Sequence, residues 1–336
     1  MKRVLLVMTL MVALSLMSGC AGVLEKYNGP VDESDTSTFV VTVAPGSSTT
    51  GIANLLLEEG LIQNVNAFKA RVKLLEVDGK MKAGDYMLSP SMSSDAIIEK
   101  LVDGKVYVET NKFTIPEGFE IRQIVDKLAE QGIVDRDVFL DVLENHPFDY
   151  AFLEGVDRSK RLEGYLFPDT YEVLKSADEV AIVNKMLKRF GDVFKPEYYA
   201  RAEELGMTID EVVTLASIIE REARVAEEFE IVSSVFHNRM EIGMALQSCA
   251  TVQYILQERK PVLSYADTEI KDPYNTYINS GLTPSPIASP GELAIKSALY
   301  PAETNYLFFV TTEKNDGTHY FNETLAGHNR DAKKGN

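Results

Sequence analysis

In the stretch "TFVVTVAPGSS" apolar side chains recur at every second position, so Phe39, Val41 and Val43 share one face before a Pro-Gly turn. That alternation predicts a strand. Downstream, "TTGIANLLLEEGLI" carries Ile52, Leu55, Leu56 and Leu61 at near-helical spacing, with Gly60 placed as a helix stop. The same order returns in "KFTIPEGFEIRQIVDKLAEQGIV". Val41, Val43, Gly46, Ile52, Leu56 and Gly60 fall against Phe113, Ile115, Gly118, Ile124, Leu128 and Gly132 at one constant offset. The segments "YMLSPSMSSDAIIEKL" and "YEVLKSADEVAIVNKML" also match, from Tyr86 with Tyr171 to Ile97 with Ile182. Their offset is larger, as an insertion in the second copy would make it. Strand, turn and helix in this order are common enough to recur by chance. The expectation is nevertheless two related small α+β units, the second with an extra segment.

From about residue 205 the pattern changes to helices followed by long loops. "TIDEVVTLASIIEREA" opens with Thr208 and Glu211 in capping-box spacing, and Met207 and Val212 are positioned as a hydrophobic staple. Val212, Leu215, Ala216, Ile219 and Ala223 then form one apolar stripe. A second amphipathic helix, roughly 226–240, turns Ile231, Val232, Val235 and Phe236 inward. A Pro/Ser loop "LTPSPIASPG", a short strand "YLFFV", and "GTHYFNETLAGHN", read as a strand and a turn, complete the chain.

The N-terminus changes the picture of where the protein works. In "MKRVLLVMTLMVALSLMSGC" two basic residues precede an apolar stretch from Val4 to Met17, shorter than the ~20 residues that span a bilayer. This reads as an export signal. Its end, "LMSGC", resembles a bacterial lipobox, which implies lipidation at Cys20, although Met17 stands where leucine is commonest. An uncleaved anchor or an ordinary cleaved signal are the alternatives. Residues 21–38, rich in Asp, Ser, Gly and Thr, are expected to form a flexible tether. There are only two cysteines, so with Cys20 lipidated Cys249 has no intrachain partner and the core alone holds the fold. The 336 residues, 45% hydrophobic and 25% charged, suit a globular protein of two or three domains. A formal net charge of -17 argues against a nucleic-acid partner or a polyphosphate substrate.

Candidate chemistry centres on the end of the stripe, "LASIIERE". With each residue turned about 100° round the axis, Glu220 and Glu222 lie roughly 80° either side of the stripe centre and Arg221 points into solvent. A carboxyl at such a border can be partly desolvated and hold its proton near neutral pH as a general acid. Periodicity equally allows both glutamates to be ordinary surface residues, and it does not choose between them. The four histidines (His146, His237, His319 and His328) show no metal-ligand spacing, so no metal or other cofactor is expected. No base is placed beside Cys249, which is read as a small buried thiol.

Seven strings occur in one order: "LEGYLFPDTY" (162–171), "LASIIEREA" (215–223), "VFHNRM" (235–240), "LQSCATVQY" (246–254), "YNTY" (274–277), "GLTPSPIASPG" (281–291) and "HYFNETLAGHN" (319–329). Together they resemble the YceG-like family of endolytic murein transglycosylases, the MltG type, over essentially everything after the tether. The resemblance implies an α+β fold. An N-terminal LysM-like small domain (39–105) would be joined to a mixed α/β catalytic region (106–336) with a helical core. That region comprises the second strand-helix unit with its insertion (106–200) and a glutamate-bearing lobe (201–336). It implies that Glu220 is the catalytic acid. Two departures stand out. Cys249 and Ala250 occupy positions where many relatives read Asp-Pro or Asp-Ala, and a lipid anchor replaces the transmembrane helix many relatives carry.

The activity so implied cuts nascent peptidoglycan between N-acetylmuramic acid and N-acetylglucosamine. One carboxyl acts as acid and then base and leaves a 1,6-anhydromuramic end. Substrate contacts are expected from Gln247, Ser248, Thr251 and Tyr254, and from Tyr274, Asn275, Thr276 and Tyr277, with tyrosine serving as the stacking platform because the chain has no tryptophan. Each of these clusters can equally be a capped turn or a satisfied polar core. Glu163 is a second carboxylate candidate, counted among the substrate contacts; the resemblance gives it a motif position but no catalytic role. The expected setting is the extracytoplasmic face of the cell membrane, with glycan strands as substrate and peptidoglycan synthases as partners by resemblance. A muramidase that uses water, or a non-catalytic wall-binding scaffold, are the competing functions.

Overall fold

The structure, a computed structural model, describes residues 26–260, 262–314 and 316–334. The export signal and Cys20 lie outside the described residues. Among the described residues no helix is long and apolar enough to cross a membrane. Two compact units divide the chain, one ending at Glu109 and the other beginning at Thr110.

The first unit runs β1 (Phe39–Val43), α1 (Thr49–Glu58), α2 (Val65–Leu74), β2 (Gly84–Leu88) and α3 (Ser94–Asp103). The strands pair antiparallel with Val41 opposite Tyr86. Alternation sends Val41, Val43, Tyr86 and Leu88 to one face, where Ile52, Leu56, Ile97 and Leu101 close a small core. The side chains of Ser48 and Ser93 cap α1 and α3. The segment expected as a tether is partly pinned to this unit. The Val31 N–H donates to the Pro90 carbonyl at 3.0 Å, the Ser94 N–H to the Asn28 carbonyl at 2.9 Å, and the Asn28 amide to Asp95 at 3.0 Å. Polar composition left this segment without a core of its own, but its backbone groups still found partners.

The second unit opens with the same order: β3 (Thr110–Thr114), α4 (Ile121–Glu130), α5 (Arg136–Asn145), β4 (Thr170–Leu174) and α6 (Glu179–Val193). Here Phe113 faces Tyr171 across an antiparallel pair, the counterpart of Val41 and Tyr86. The turn glycines match as well: Gly46 and Gly118 have φ of +78° and +72°, a left-handed conformation that glycine adopts without strain. The repeat read from the pattern is therefore present in element order, register and turns. The insertion is the segment 146–169 between α5 and β4, where the first unit has only 75–83.

Beyond the repeat come α7 (Pro196–Glu204), α8 (Ile209–Glu222), a 3-10 turn (Ala226–Glu228), α9 (Phe229–Glu241), α10 (Cys249–Leu256), α11 (Tyr265–Thr268) and α12 (Glu292–Leu299). They are followed by β5 (Phe308–Thr311), β6 (His319–Asn322) and α13 (Leu325–Ala332). The predicted capping box starts α8: the Glu211 N–H donates to the Thr208 hydroxyl at 3.2 Å, and the Thr208 N–H to the Glu211 carboxylate at 2.8 Å. α8 is not the one-striped surface helix its periodicity suggested. Every residue from Val212 to Ile219 is buried, including Thr214 and Ser217, because neighbours cover it on all sides. The last string ends in a helix and not a turn, because the Thr324 hydroxyl accepts the Gly327 N–H and caps α13.

Glycine at 164 welds the insertion to this central helix. Gly164 has φ of +90°, and a Cβ there would come within 2.5 Å of the Pro286 ring and 3.0 Å of Val213. Gly164→Ala is expected to cost about 2 kcal/mol or more of unfolding free energy, read by denaturant titration. An unchanged midpoint would show that this approach is looser than described.

Candidate active site

The last turn of α8 delivers Glu220, Arg221 and Glu222 into three different environments. Glu222 is consumed by structure: its carboxylate accepts the Ser248 hydroxyl and the Ala250 N–H, the latter at 3.2 Å, and so caps α10. Arg221 does not point into solvent as the helical wheel suggested. It is buried, 3.4 Å from the equally buried Glu120, and its other nitrogen donates to the Gln253 side chain at 3.5 Å. The wheel failed because the turn 115–120 folds over this end of the helix, and the Glu120 carboxylate draws the guanidinium inward.

Glu220 is the residue left facing open space. Its carboxylate accepts the Gly291 N–H at 3.0 Å, and Gly291 is the N-cap of α12. An orphan N–H at a helix start ordinarily stabilises an anion. Burial opposes that and dominates, so the Glu220 carboxyl is pushed up to about 7. The nearby Glu117 carboxylate adds to the rise, and Arg221 works against it. Glu117 lies against Gly291, where a Cβ would meet its Oε1 at 2.0 Å. The absent side chain is what leaves room for that second carboxylate.

The loop "GLTPSPIASPG" brings Gly291 to this point by being bonded on both sides. The Ile287 N–H donates to the Ser217 hydroxyl of α8 at 3.0 Å. The Ser289 N–H donates to the Phe119 carbonyl at 2.7 Å, and the Gly118 N–H to the Ser289 carbonyl at 2.9 Å. The result is a cleft of about 550 Å³. Glu220 and Glu117 lie on its acidic side, Ala226, Phe229 and Leu293 form apolar wall, and Arg221, Arg224, Arg259, Lys260 and Gln253 supply donors.

The polar clusters expected to meet substrate sit elsewhere. Ser248, Thr251, Asn275 and Thr276 are fully buried. They bond to one another and to backbone: Thr251 to Thr276 at 2.9 Å, the Ser248 N–H to Thr276 at 3.0 Å, and the Asn275 amide to the Thr268 and Ile270 carbonyls at 3.0 and 2.8 Å. Gln247 is exposed in a left-handed turn, its N–H on the Thr276 carbonyl. The Tyr274 hydroxyl bonds Ser285 at 2.6 Å, and Tyr277 meets the Cys249 thiol at 3.1 Å. Cys249 is exposed at the first position of α10, not buried as expected. None of these residues lines the cleft of Glu220, and no tyrosine does.

Glu163 and Tyr254 line a second cleft of about 430 Å³, with Ile121, Leu140 and Leu143 as its apolar wall. Glu163 is buried. It accepts the Ile121 N–H of α4 at 2.9 Å and the Tyr254 hydroxyl at 3.2 Å, while the Tyr254 ring packs tilted against Tyr274 at 5.1 Å between centroids. Burial pushes its carboxyl up to about 7 as well. The Glu120–Arg221 pair stands between the two clefts, Glu120 lining one and Arg221 the other. Glu117, Arg224, Arg259 and Lys260 were not singled out in the sequence, and Arg221 was placed in solvent. The acid of "PEG" carries no periodic signal, and its relation to Glu220 exists only after the turn has closed.

The YceG-like family model matches residues 41–334. The chain belongs to the YceG-like family. Among curated proteins, this YceG-like chain is 32% identical over 91% of its length to an endolytic murein transglycosylase of Bacillus subtilis, and covers 87% of that relative. It is 28% identical over 90% of its length to an endolytic murein transglycosylase of Streptococcus pneumoniae, of which it spans 59%. A crystal structure of a yceG-like protein from Listeria monocytogenes is similar with a TM-score of 0.58 and 33% identity, covering 88% of this chain and 99% of the other. The architecture is accordingly the mixed α/β fold with small antiparallel sheets described above.

The buried Glu163 supports a test by stability. Its folded-state value lies above the ordinary 4.5, so the folded protein holds this proton more tightly than the unfolded chain. The resulting destabilisation grows as pH rises from about 4.5 and is complete above about 7. Glu163→Gln, which keeps an acceptor for Ile121, is expected to melt several degrees above wild type at pH 8 and close to it at pH 4.5. A gap independent of pH would contradict the assignment.

Proposed function

We propose that this protein is an endolytic murein transglycosylase, with Glu220 as its single acid-base catalyst. The reading is carried by the placement of one carboxyl: Glu220, mostly buried and so pushed up to about 7, lines a cleft of about 550 Å³. Protonated Glu220 donates to the oxygen joining muramic C1 to N-acetylglucosamine O4. The C1–O4 bond breaks, and the N-acetylglucosamine leaves with its hydroxyl restored. The Glu220 carboxylate then accepts the proton of the muramic C6 hydroxyl while that oxygen bonds to C1. The ring so closed is the 1,6-anhydro end. Glu220 finishes protonated, and no water is consumed.

The remaining parts follow from the same chemistry. The negative charge of Glu117 favours the protonated form of Glu220 and stabilises positive charge developing at C1. In the first unit, the β-α-α-β order with antiparallel strands supports a LysM-like, wall-binding reading. Lipid attachment at Cys20 would hold the enzyme at the extracytoplasmic face of the cell membrane, beside the synthases that supply nascent strands. Gln247, Ser248, Thr251, Asn275, Thr276 and Tyr277 serve by fixing α10 and the loops around it, and Glu163, Tyr254 and Tyr274 by shaping the second cleft.

The second reading, hydrolysis, is favoured by the presence of Glu117 beside Glu220, since two carboxylates are what a water-using glycosidase needs. Mass spectrometry of the products separates the two. Anhydro ends are expected, and reducing ends alone would establish hydrolysis. Glu220→Gln is expected to lower turnover about 1,000-fold or more without unfolding the protein, and undiminished cleavage would remove Glu220 from the mechanism. Because the acid form starts the reaction, kcat/KM should fall as pH rises through about 7. Glu117→Gln removes a neighbour that opposes the anion, so the falling limb should move to lower pH. A limb that stays in place would show that Glu117 does not act on Glu220.

A further inference from the structure

Arg224 and Arg259 have no carboxylate partner among the described residues, although the chain as a whole is strongly acidic at a net charge of -17. The other two cations of the Glu220 cleft are engaged: Arg221 by Glu120, and Lys260 by Asp267 at 2.9 Å. Arg224 follows the end of α8 and Arg259 follows the end of α10, so two helix C-termini point cations into one space. A helix C-terminus attracts a cation, but the effect is confined to the last turn, and both arginines lie beyond it. It does not account for both facing the same cleft. There Arg259 lies near enough for its charge, after burial itself, to weaken the hold of Arg221 on its proton.

The stem of Arg224 is also held in place. Gly317, with φ of +82° in the β5–β6 turn, lies so close that a Cβ on it would come within 2.8 Å of the Arg224 Cβ. The hairpin turn thus rests on the base of the arginine stem. Neutral sugar hydroxyls need no such pair. Two guanidiniums at the rim of a cleft are the arrangement that recognises a planar anion through paired N–H donors.

We infer that Arg224 and Arg259 form a carboxylate-binding subsite of the Glu220 cleft, which grips the acidic peptide substituent carried by the glycan. The inference rests on the murein reading above. It adds a basis for preference, since strands with acidic peptides bind more tightly than strands whose carboxylates are masked. Arg221 is excluded from this role by its burial against Glu120, and Lys260 by Asp267.

The test is a binding titration with the full-length Glu220→Gln protein, which holds strands without cutting them. The probes are uncrosslinked peptide-bearing glycan and the same material with its carboxylates converted to methylamides. Native strands are expected to bind about tenfold more tightly than amidated ones. Adding Arg224→Gln and Arg259→Gln should erase that difference, and Arg224→Lys with Arg259→Lys should restore part of it. Equal affinity for the two probes, or a difference that survives loss of both guanidiniums in a protein with an unchanged melting temperature, would overturn the subsite. Failure of the transglycosylase reading would show separately, as wild-type protein that discriminates between the probes but produces no anhydro ends.

Discussion

The chemistry proposed for this protein depends on the hydrogen bond from the Gly291 N–H to the Glu220 carboxyl. That bond joins two opposed tendencies at one group. A helix start favours the anion, and burial at the junction of α8 and α12 favours the acid. Burial dominates. The rise from an ordinary 4.5 to about 7 corresponds to a preference for the protonated form on the order of 3 kcal/mol. The same N–H keeps that preference from going further, so the group can still give up its proton and take one back. An acid-then-base cycle on one side chain requires that balance.

The balance is built by the second copy of an ordinary small unit. In the first copy Ser48 caps α1 through its hydroxyl. The equivalent position in the second copy is Glu120, which caps α4 and also reaches Arg221 at the end of α8. A capping position has thus become a strut between the repeat and α8. The turn before it carries Glu117 to the side of Gly291, and its backbone bonds at Gly118 and Phe119 hold the 281–291 loop in register. Glu120 also pairs with Arg122 at 2.7 Å, so it is the loss of Glu120 that would leave a buried charge, that of Arg221, without its carboxylate partner.

The repeat was legible in the sequence because constant offsets between apolar and glycine positions survive whatever the chain does in between. The start of α8 was legible because its capping box is local. The helical wheel placed Glu220 at a border but could not separate it from Glu222. That separation depends on α10, whose start sits on Glu222 from 26 residues away. Arg221, Glu117, Arg224 and Arg259 were illegible for the same reason: their partners, or their want of partners, are set by elements remote in the chain. Polar strings such as "YNTY" were visible, yet their composition suits a buried hydrogen-bond network as well as a binding surface. Only burial tells these apart, and Asn275 and Thr276 are buried.

The central claim is that a half-buried carboxyl on a helix start remains an acid near neutral pH. Titrating the side-chain carboxyl carbon of Glu220 by NMR, with Glu220→Gln used to assign the resonance, measures this directly. The account predicts a midpoint near 7 in the intact protein, falling when Glu117 is made neutral. A midpoint at the 4.5 of an ordinary glutamate would contradict it.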